Sequence, residues 1–307
     1  MRAIARNTRE RAAYTDRAPP TIGRVPMPNA IRRLLMAAAL AATAAASAYA
    51  RDPDPDPAAS PIWNKVRAIL FADVRFEPDA GQVIALETPA RAEDAAVVPV
   101  AIRARFAQSR ERYIDRVWLI VDKNPSPVAA EFQFTPASGR ADIETRIRIE
   151  EYTHVRAIAR TNDGKHYLAV NYVKASGGCS APAGKDAALA KANLGKMRLR
   201  VDDSAGAGRP ALAQLMISHP NDTGLAMDQL TRMYAPPHFV RRVEVTYDGT
   251  PVMIADVDFS ISENPNFRFY FLPGEGGRLE ARVVDNRDLT FATAVRFDGG
   301  RVARAAP

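Results

Sequence analysis

The chain has a single cysteine, Cys179, in 307 residues. One cysteine excludes an intrachain disulfide, so stability has to come from a packed core. Histidine is nearly as scarce. His154, His166, His219 and His238 show no metal-ligand spacing with one another or with the cysteine, which argues against a zinc or copper site. The sequence contains no G-x-S-x-G, no phosphate-binding loop and no H-E-x-x-H, so the common hydrolase, nucleotide and metalloprotease signatures are missing. The apolar run Leu34–Ala42 is too short to span a bilayer. Excess charge is missing too, once the chain is divided. The formal net charge is +7, but residues 1–50 hold eight arginines against two acids, leaving 34 basic and 33 acidic residues beyond them. Such a balance gives no reason to expect nucleic acid as a partner.

Residues 1–50 read as an export segment rather than as fold. Arg32-Arg33 precede the apolar run, and Ala48-Tyr49-Ala50 is a small-x-small cleavage site. Cleavage is expected after Ala50, placing the protein in the periplasm, with Met1 or Met27 as the start and either the general or the twin-arginine route. Alternating Asp-Pro from Asp52 to Pro57 makes residues 51–59 read as a solvated leader. Ser60-Pro61 opens a short helix to about Ala72, with Ile62, Val66, Ile69 and Leu70 on one face.

Beyond residue 82 the period becomes two. Val98, Val100, Ile102 and Ala104 alternate with smaller or charged residues, as do Ile143 and Ile147 with Glu144 and Arg146. Val117–Val121 is a continuous apolar run, expected of a strand covered on both faces. Asn162-Asp163-Gly164 reads as a hairpin turn that could set His154 and His166 side by side. A second series follows at Met197–Val201, Ala211–Ser218, Arg242–Tyr247, Thr250–Ile254, Val257–Ile261, Phe267–Phe271, Leu279–Val283 and Phe291–Phe297. The expected fold is all-β: two antiparallel β-sandwiches, over residues 60–174 and 194–303, joined by a cysteine arm at 175–193. Phe267, Phe269 and Phe271 are expected in the core rather than around a cofactor.

The arm carries the chemistry. In Ala175-Ser176-Gly177-Gly178-Cys179-Ser180-Ala181-Pro182-Ala183-Gly184 every neighbour of the thiol is small. Gly177, Gly178 and Gly184 are expected to keep the arm mobile and the thiol exposed. A displayed thiol off a strand end suits a carrier that takes up sulfur groups by exchange. A passive cysteine in an immunoglobulin-like scaffold, and a thiol enzyme, are the alternatives.

The second half resembles SoxZ of the bacterial sulfur-oxidation system, through Leu215-Met216-Ile217-Ser218-His219-Pro220-Asn221-Asp222-Thr223-Gly224-Leu225, Pro237-His238-Phe239-Val240, and Asn264-Pro265 with Phe267–Leu272. The first half resembles SoxY, whose arm bears a cysteine between glycine pairs, here Gly177-Gly178-Cys179. Ser180-Ala181-Pro182 replaces the glycines that follow, and the arm is tethered at both ends. Together the chain is similar to SoxY–SoxZ fusions of the type associated with quinoprotein dehydrogenases. The resemblance implies two immunoglobulin-like sandwiches packed together, forming a carrier that is not itself an enzyme and needs no cofactor or metal. Its implied partners are periplasmic sulfur-oxidation enzymes, among them a haem-containing transferase, or proteins linked to a quinoprotein dehydrogenase, and neither nucleic acid nor membrane. His219, Pro220 and Gly224 are candidates for a partner-docking loop.

Overall fold

The computed structural model describes residues 54–181, 192–202, 206–227, 232–298 and 301–304. The export segment with its cleavage site, Gly184 and most of the helical turn expected at 186–193 therefore lie outside the described residues. The first half supplies helix α1 (Pro61–Leu70) and strands β1 (Phe76–Glu77), β2 (Ile84–Glu87), β3 (Val98–Ala104), β4 (Ile114–Val121), β5 (Val128–Phe134), β6 (Ile143–Ile147), β7 (Thr153–Thr161) and β8 (His166–Val173). The second half supplies β9 (Met197–Val201), β10 (Ala211–Ile217), β11 (Val240–Tyr247), β12 (Thr250–Val257), β13 (Asn266–Phe271), β14 (Gly276–Asp285), β15 (Thr290–Asp298) and β16 (Arg301–Arg304).

Over the described residues the protein is all-β apart from α1 and short helical turns, in two immunoglobulin-like sandwiches, and both halves contribute to both layers. One sheet has ten strands, in the order β1-β8-β7-β4-β5-β12-β11-β14-β15-β16, and the other has six, β2-β3-β6-β13-β10-β9. The sandwiches are thus fused edge to edge twice, through β5–β12 and through β6–β13. Edge strands left unpaired at this boundary would expose open backbone groups, and mutual pairing removes them. One apolar cluster runs through both halves, including Val100, Val117, Phe132, Val243, Phe267 and Phe269. Phe132 meets Phe267 edge-on across the boundary, 6.4 Å between ring centroids. The three phenylalanines of β13 are core residues, as expected.

Strand β4 confirms that its apolar run is covered on both faces. Val117, Leu119 and Val121 join the main core, while Trp118 and Ile120 join a second cluster with Trp63, Phe71 and Ile158. That cluster seats α1. Ser60 caps the helix, its Oγ accepting from the Trp63 amide at 3.2 Å. The expected apolar face is wrong in part: Trp63 is the buried helix residue, whereas Ile69 and Leu70 are exposed. One tryptophan buries more area than either aliphatic residue and so sets the rotation of the helix.

The described part of the Asp-Pro leader, residues 54–59, is exposed but fastened. Arg156 pairs with Asp122 at 2.6 Å, both fully buried, and donates to the Pro57 carbonyl at 2.7 Å. His154 bonds to the Pro55 carbonyl at 2.9 Å. His154 and His166 are not neighbours, because the register pairs His154 with Tyr172 and His166 with Arg160. Nor is Val257–Ile261 one strand. β12 ends at Val257, and Asp258–Ile261 turns across the boundary, where Ser260 O accepts from the Arg148 amide at 2.7 Å.

Candidate functional site

Cys179 lies one turn beyond β8, against the end of β6. The backbone makes this turn in a way only glycine allows. Gly177 has φ +81°, in the left-handed region. Gly178 packs so closely that a Cβ would run into the Ala95 carbonyl and the Ile149 amide. The Gly177 and Gly178 amides donate to the carbonyls of Glu150 and Ile149, at 2.8 and 2.9 Å. The two glycines therefore serve close approach and fixation, and the expected mobile arm is a seated turn at this point.

The expected exposure of the thiol is also corrected. Cys179 is fully buried. The cover is polar, and Cys179 belongs to neither apolar cluster. Glu150 Oε2 accepts from the Cys179 and Ser180 amides at 2.9 and 3.1 Å, and Oε1 accepts from Ser180 Oγ at 2.9 Å. From the other half, Thr223 Oγ1 donates to the Cys179 carbonyl at 2.7 Å. Arg148 spans both halves, its Nη1 donating to Gly178 O and its Nη2 to Asn221 O, each at 3.3 Å. Burial pushes the Cys179 thiol up to about 12, the Glu150 carboxylate adds to the shift, and Arg148 opposes it. At neutral pH about one thiol in 10⁵ is then ionised, whereas an exposed cysteine is a few per cent thiolate. In this seat the thiol is protonated and covered.

The loop after β10 provides the other wall. His219 is buried, so its ring is closed to an external partner, contrary to the docking expectation, while Pro220 is half-buried and Gly224 sits against Pro237. The loop docks internally, onto the cysteine turn. Its frame is Asn221, whose side chain donates to Ile261 O at 3.0 Å and accepts from the Val240 amide at 3.0 Å.

Behind Asn221 stands a group that spacing did not reveal. His219, His238 and Asp285 each place one potential ligand atom within 4.8 Å of the others. His238 Nε2 lies 2.7 Å and His219 Nε2 3.5 Å from Asp285 Oδ2. The donor set suits a hydrogen-bonded frame better than a metal. His219 Nδ1 accepts from the Asn221 amide at 3.1 Å, so its proton sits on Nε2, the atom a metal would need free. Burial and the neighbouring His238 bring His219 down to about 4, keeping it neutral. Burial acts to raise Asp285, but His238 and the amides of Leu289 and Arg287 outweigh it and hold the carboxyl below its ordinary range. The segments that bring these residues together are 19 and 47 residues apart in the chain, beyond any local motif.

Two families match the chain in succession: Sulfur oxidation protein SoxY over residues 69–179, ending on the cysteine, and Sulphur oxidation protein SoxZ over residues 197–296. Among solved structures, the sulfur carrier protein SoxY from Chlorobium limicola f. thiosulfatophilum is similar at 24% identity, over 37% of this chain and 90% of that one, with a TM-score of 0.30. A superoxide reductase (neelaredoxin) from Ignicoccus hospitalis is similar at 15% identity, over 31% and 81%, with a TM-score of 0.28. Fibronectin(III)-like modules of Clostridium thermocellum CbhA are similar at 10% identity, over 70% and 92%, with a TM-score of 0.22. No curated protein shows significant similarity to the chain.

Proposed function

We propose, from the premise that the chain belongs to the SoxY and SoxZ sulfur-oxidation families as one tandem polypeptide, that it carries a sulfur intermediate covalently on Cys179 in the periplasm. The observation behind this reading is the position of Cys179. It is the last residue of the SoxY match and is held at the boundary with the SoxZ half by polar contacts that can be broken singly. In the seated form the thiol is protonated and covered. Out of the seat it returns toward an ordinary cysteine pKa, and its thiolate can attack a disulfide-like sulfur. A new S–S bond forms, the old one breaks, and the leaving sulfur departs with the electron pair. The protein then presents the group and does not itself transform it. Loading and unloading fall to partner enzymes, a haem-containing transferase or proteins linked to a quinoprotein dehydrogenase. Export follows from residues 1–50, and the periplasmic protein should begin at Arg51.

The test is intact-mass analysis of the protein taken from its own periplasm, with and without reduction. Reducible sulfur adducts confined to Cys179, and loss of sulfur-dependent growth in Cys179→Ser cells, are the expected results. An unmodified Cys179 together with full function of the Cys179→Ser protein would overturn the reading.

A second reading has one observation in its favour: a fully buried thiol near pKa 12 is also what a passive core cysteine looks like. The two differ in how the thiol becomes available. A stored carrier thiol is alkylated through local release of the turn, faster than the protein unfolds. A passive one is alkylated only at the rate of global unfolding.

A further inference from the structure

The wall that the loop after β10 presents to the cysteine turn hangs on one imidazole atom. Asn221 is fully buried and has φ +46°, in the left-handed region that asparagine tolerates when local bonds hold it. Its backbone N–H donates to His219 Nδ1 at 3.1 Å. Two residues further on, Thr223 Oγ1 donates to the Cys179 carbonyl and accepts from the Leu225 amide at 3.0 Å. The ring is therefore joined to the cysteine turn through one short run of chain, His219 to Thr223. His219 is 1% exposed. Its Nε2 is buried without a hydrogen-bond partner, 3.5 Å from Asp285 Oδ2. Asp285 is already engaged: Oδ2 accepts from His238 Nε2 at 2.7 Å, and Oδ1 accepts from the Arg287 and Leu289 amides. A neutral imidazole takes up a proton at its unprotonated nitrogen, which here is Nδ1. A proton on Nδ1 faces the Asn221 N–H, donor against donor, and the bond that holds the loop is lost.

We propose that His219 is an acid-operated latch on this wall: protonation of Nδ1 displaces the Asn221 amide and frees the loop that holds Thr223 against Cys179. It rests on the carrier reading for its use, which is to make the thiol more available in an acidifying medium. The charged groups that face the ring are His238, just ahead of β11, and Asp285, at the end of β14. Burial and His238 hold His219 down to about 4 in the closed loop, outweighing Asp285 and Asn221. In an open loop the ring returns toward the ordinary histidine value of about 6.5. Between those two values the open loop binds more protons than the closed one. Opening is therefore favoured as pH falls through that window, and the effect is absent above it. Asp222, on the same loop, faces His238, Arg148, Arg287 and Glu263. Burial raises it, so it favours the closed loop in acid and opposes the latch. Glu150, Arg148 and Asp258 act on the cysteine turn itself.

The experiment uses the full chain and 2,2′-dipyridyl disulfide, a reagent that stays reactive in acid. The Cys179 thiolate attacks one sulfur, the S–S bond breaks, Cys–S–S–pyridyl forms and thiopyridone leaves with the electron pair. Absorbance of the thiopyridone gives the rate. Dividing it by the rate of glutathione at the same pH removes the ordinary ionisation of a thiol and of the reagent. Circular dichroism at each pH confirms that the chain stays folded. From about pH 7.5 to about pH 5 the divided rate should rise about 30-fold. His219→Asn keeps an oxygen acceptor in place of Nδ1 and cannot be protonated there, so that rise should be lost. A titration of the histidine rings by NMR needs no variant: in the closed protein His219 should stay neutral well below the ordinary value. A flat or absent reaction in the unsubstituted protein, or the same rise in His219→Asn, overturns the latch and leaves the response, if any, to Glu150 or the fold as a whole. A His219 ring that titrates at the ordinary value overturns it too. Failure of the carrier reading shows elsewhere, as an unmodified Cys179 in protein from the periplasm, and leaves these rates unchanged.

Discussion

The two sandwiches meet along two boundaries of different kinds. In the ten-stranded sheet, β5 and β12 pair through five consecutive residues, from Met253 opposite Phe134 to Val257 opposite Ala130. In the six-stranded sheet, β6 and β13 pair through two, Arg268 with Glu144 and Phe269 with Ile143, followed by one bridge between Ile147 and Ile261. Past that bridge the ladder gives out, and side chains take over from strand pairing: Asn124, Arg148, Glu150, Asn221, Thr223 and Ser260. The cysteine turn is seated there. A full ladder leaves no backbone groups for a guest segment, whereas an interrupted one leaves polar groups that a turn can satisfy. The first boundary is a continuous ladder that joins the halves through backbone pairing, and the second leaves its polar groups to side chains and to the cysteine turn.

The largest expected effect comes from breaking the first boundary. Phe132→Ala removes a fully buried ring that packs across it and should cost about 3–5 kcal/mol. Denaturant melts should still show one transition for both halves. Two separated transitions would mean that the halves fold independently.

Next in size is Gly178→Ala, which acts on the second boundary only. The added Cβ meets the Ala95 carbonyl, so the seat should lose about 2 kcal/mol and folded-state alkylation of Cys179 should speed up roughly 30-fold. Unchanged alkylation would show that the turn is not held by that contact. Thr223→Val follows. It keeps the shape of the side chain but deletes the hydroxyl that bonds the Cys179 carbonyl, a loss of about 1 kcal/mol and roughly a fivefold gain in alkylation rate. No gain would remove the SoxZ half from control of the thiol.

The smallest effect is on pH dependence. The seated thiol, raised to about 12, favours the protonated form, so the seat is at full strength below the pKa of a free cysteine and weakens as pH rises through 12. Alkylation of the native protein should therefore keep climbing above pH 9, where that of the unfolded chain levels off. Parallel profiles would contradict the burial of the thiol.

Much of the fold was legible because alternation is a local property. Val98–Ala104, Ile143–Ile147 and Phe267–Phe271 carry their burial pattern in their own residues. Val257–Ile261 misled, since the same alternation continues after the strand has ended and turned. At the site, the small neighbours of Cys179 singled it out in the sequence, but its burial could not be read from them. Glu150 and Thr223, which cover it, lie 29 and 44 residues away. The small residues that suggest exposure are equally those that permit tight seating. His219 and His238 were visible as residues but not as a group, because Asp285 joins them only after β11 and β14 have paired.

The cysteine turn is tied to the fold at both ends. Val173 closes β8 and Met197 opens β9, with 23 residues between them. Cys179 stands six residues from the nearer anchor, so a released thiol is confined to roughly 20 Å of that anchor. Confinement of this kind sets an effective concentration, on the order of millimolar, of the thiol at its own pocket. The pocket is therefore a standing competitor for the cysteine. On the carrier reading proposed above, an enzyme that loads Cys179 has to outbind a millimolar rival built into its substrate, and once it lets go, the turn returns home without a search.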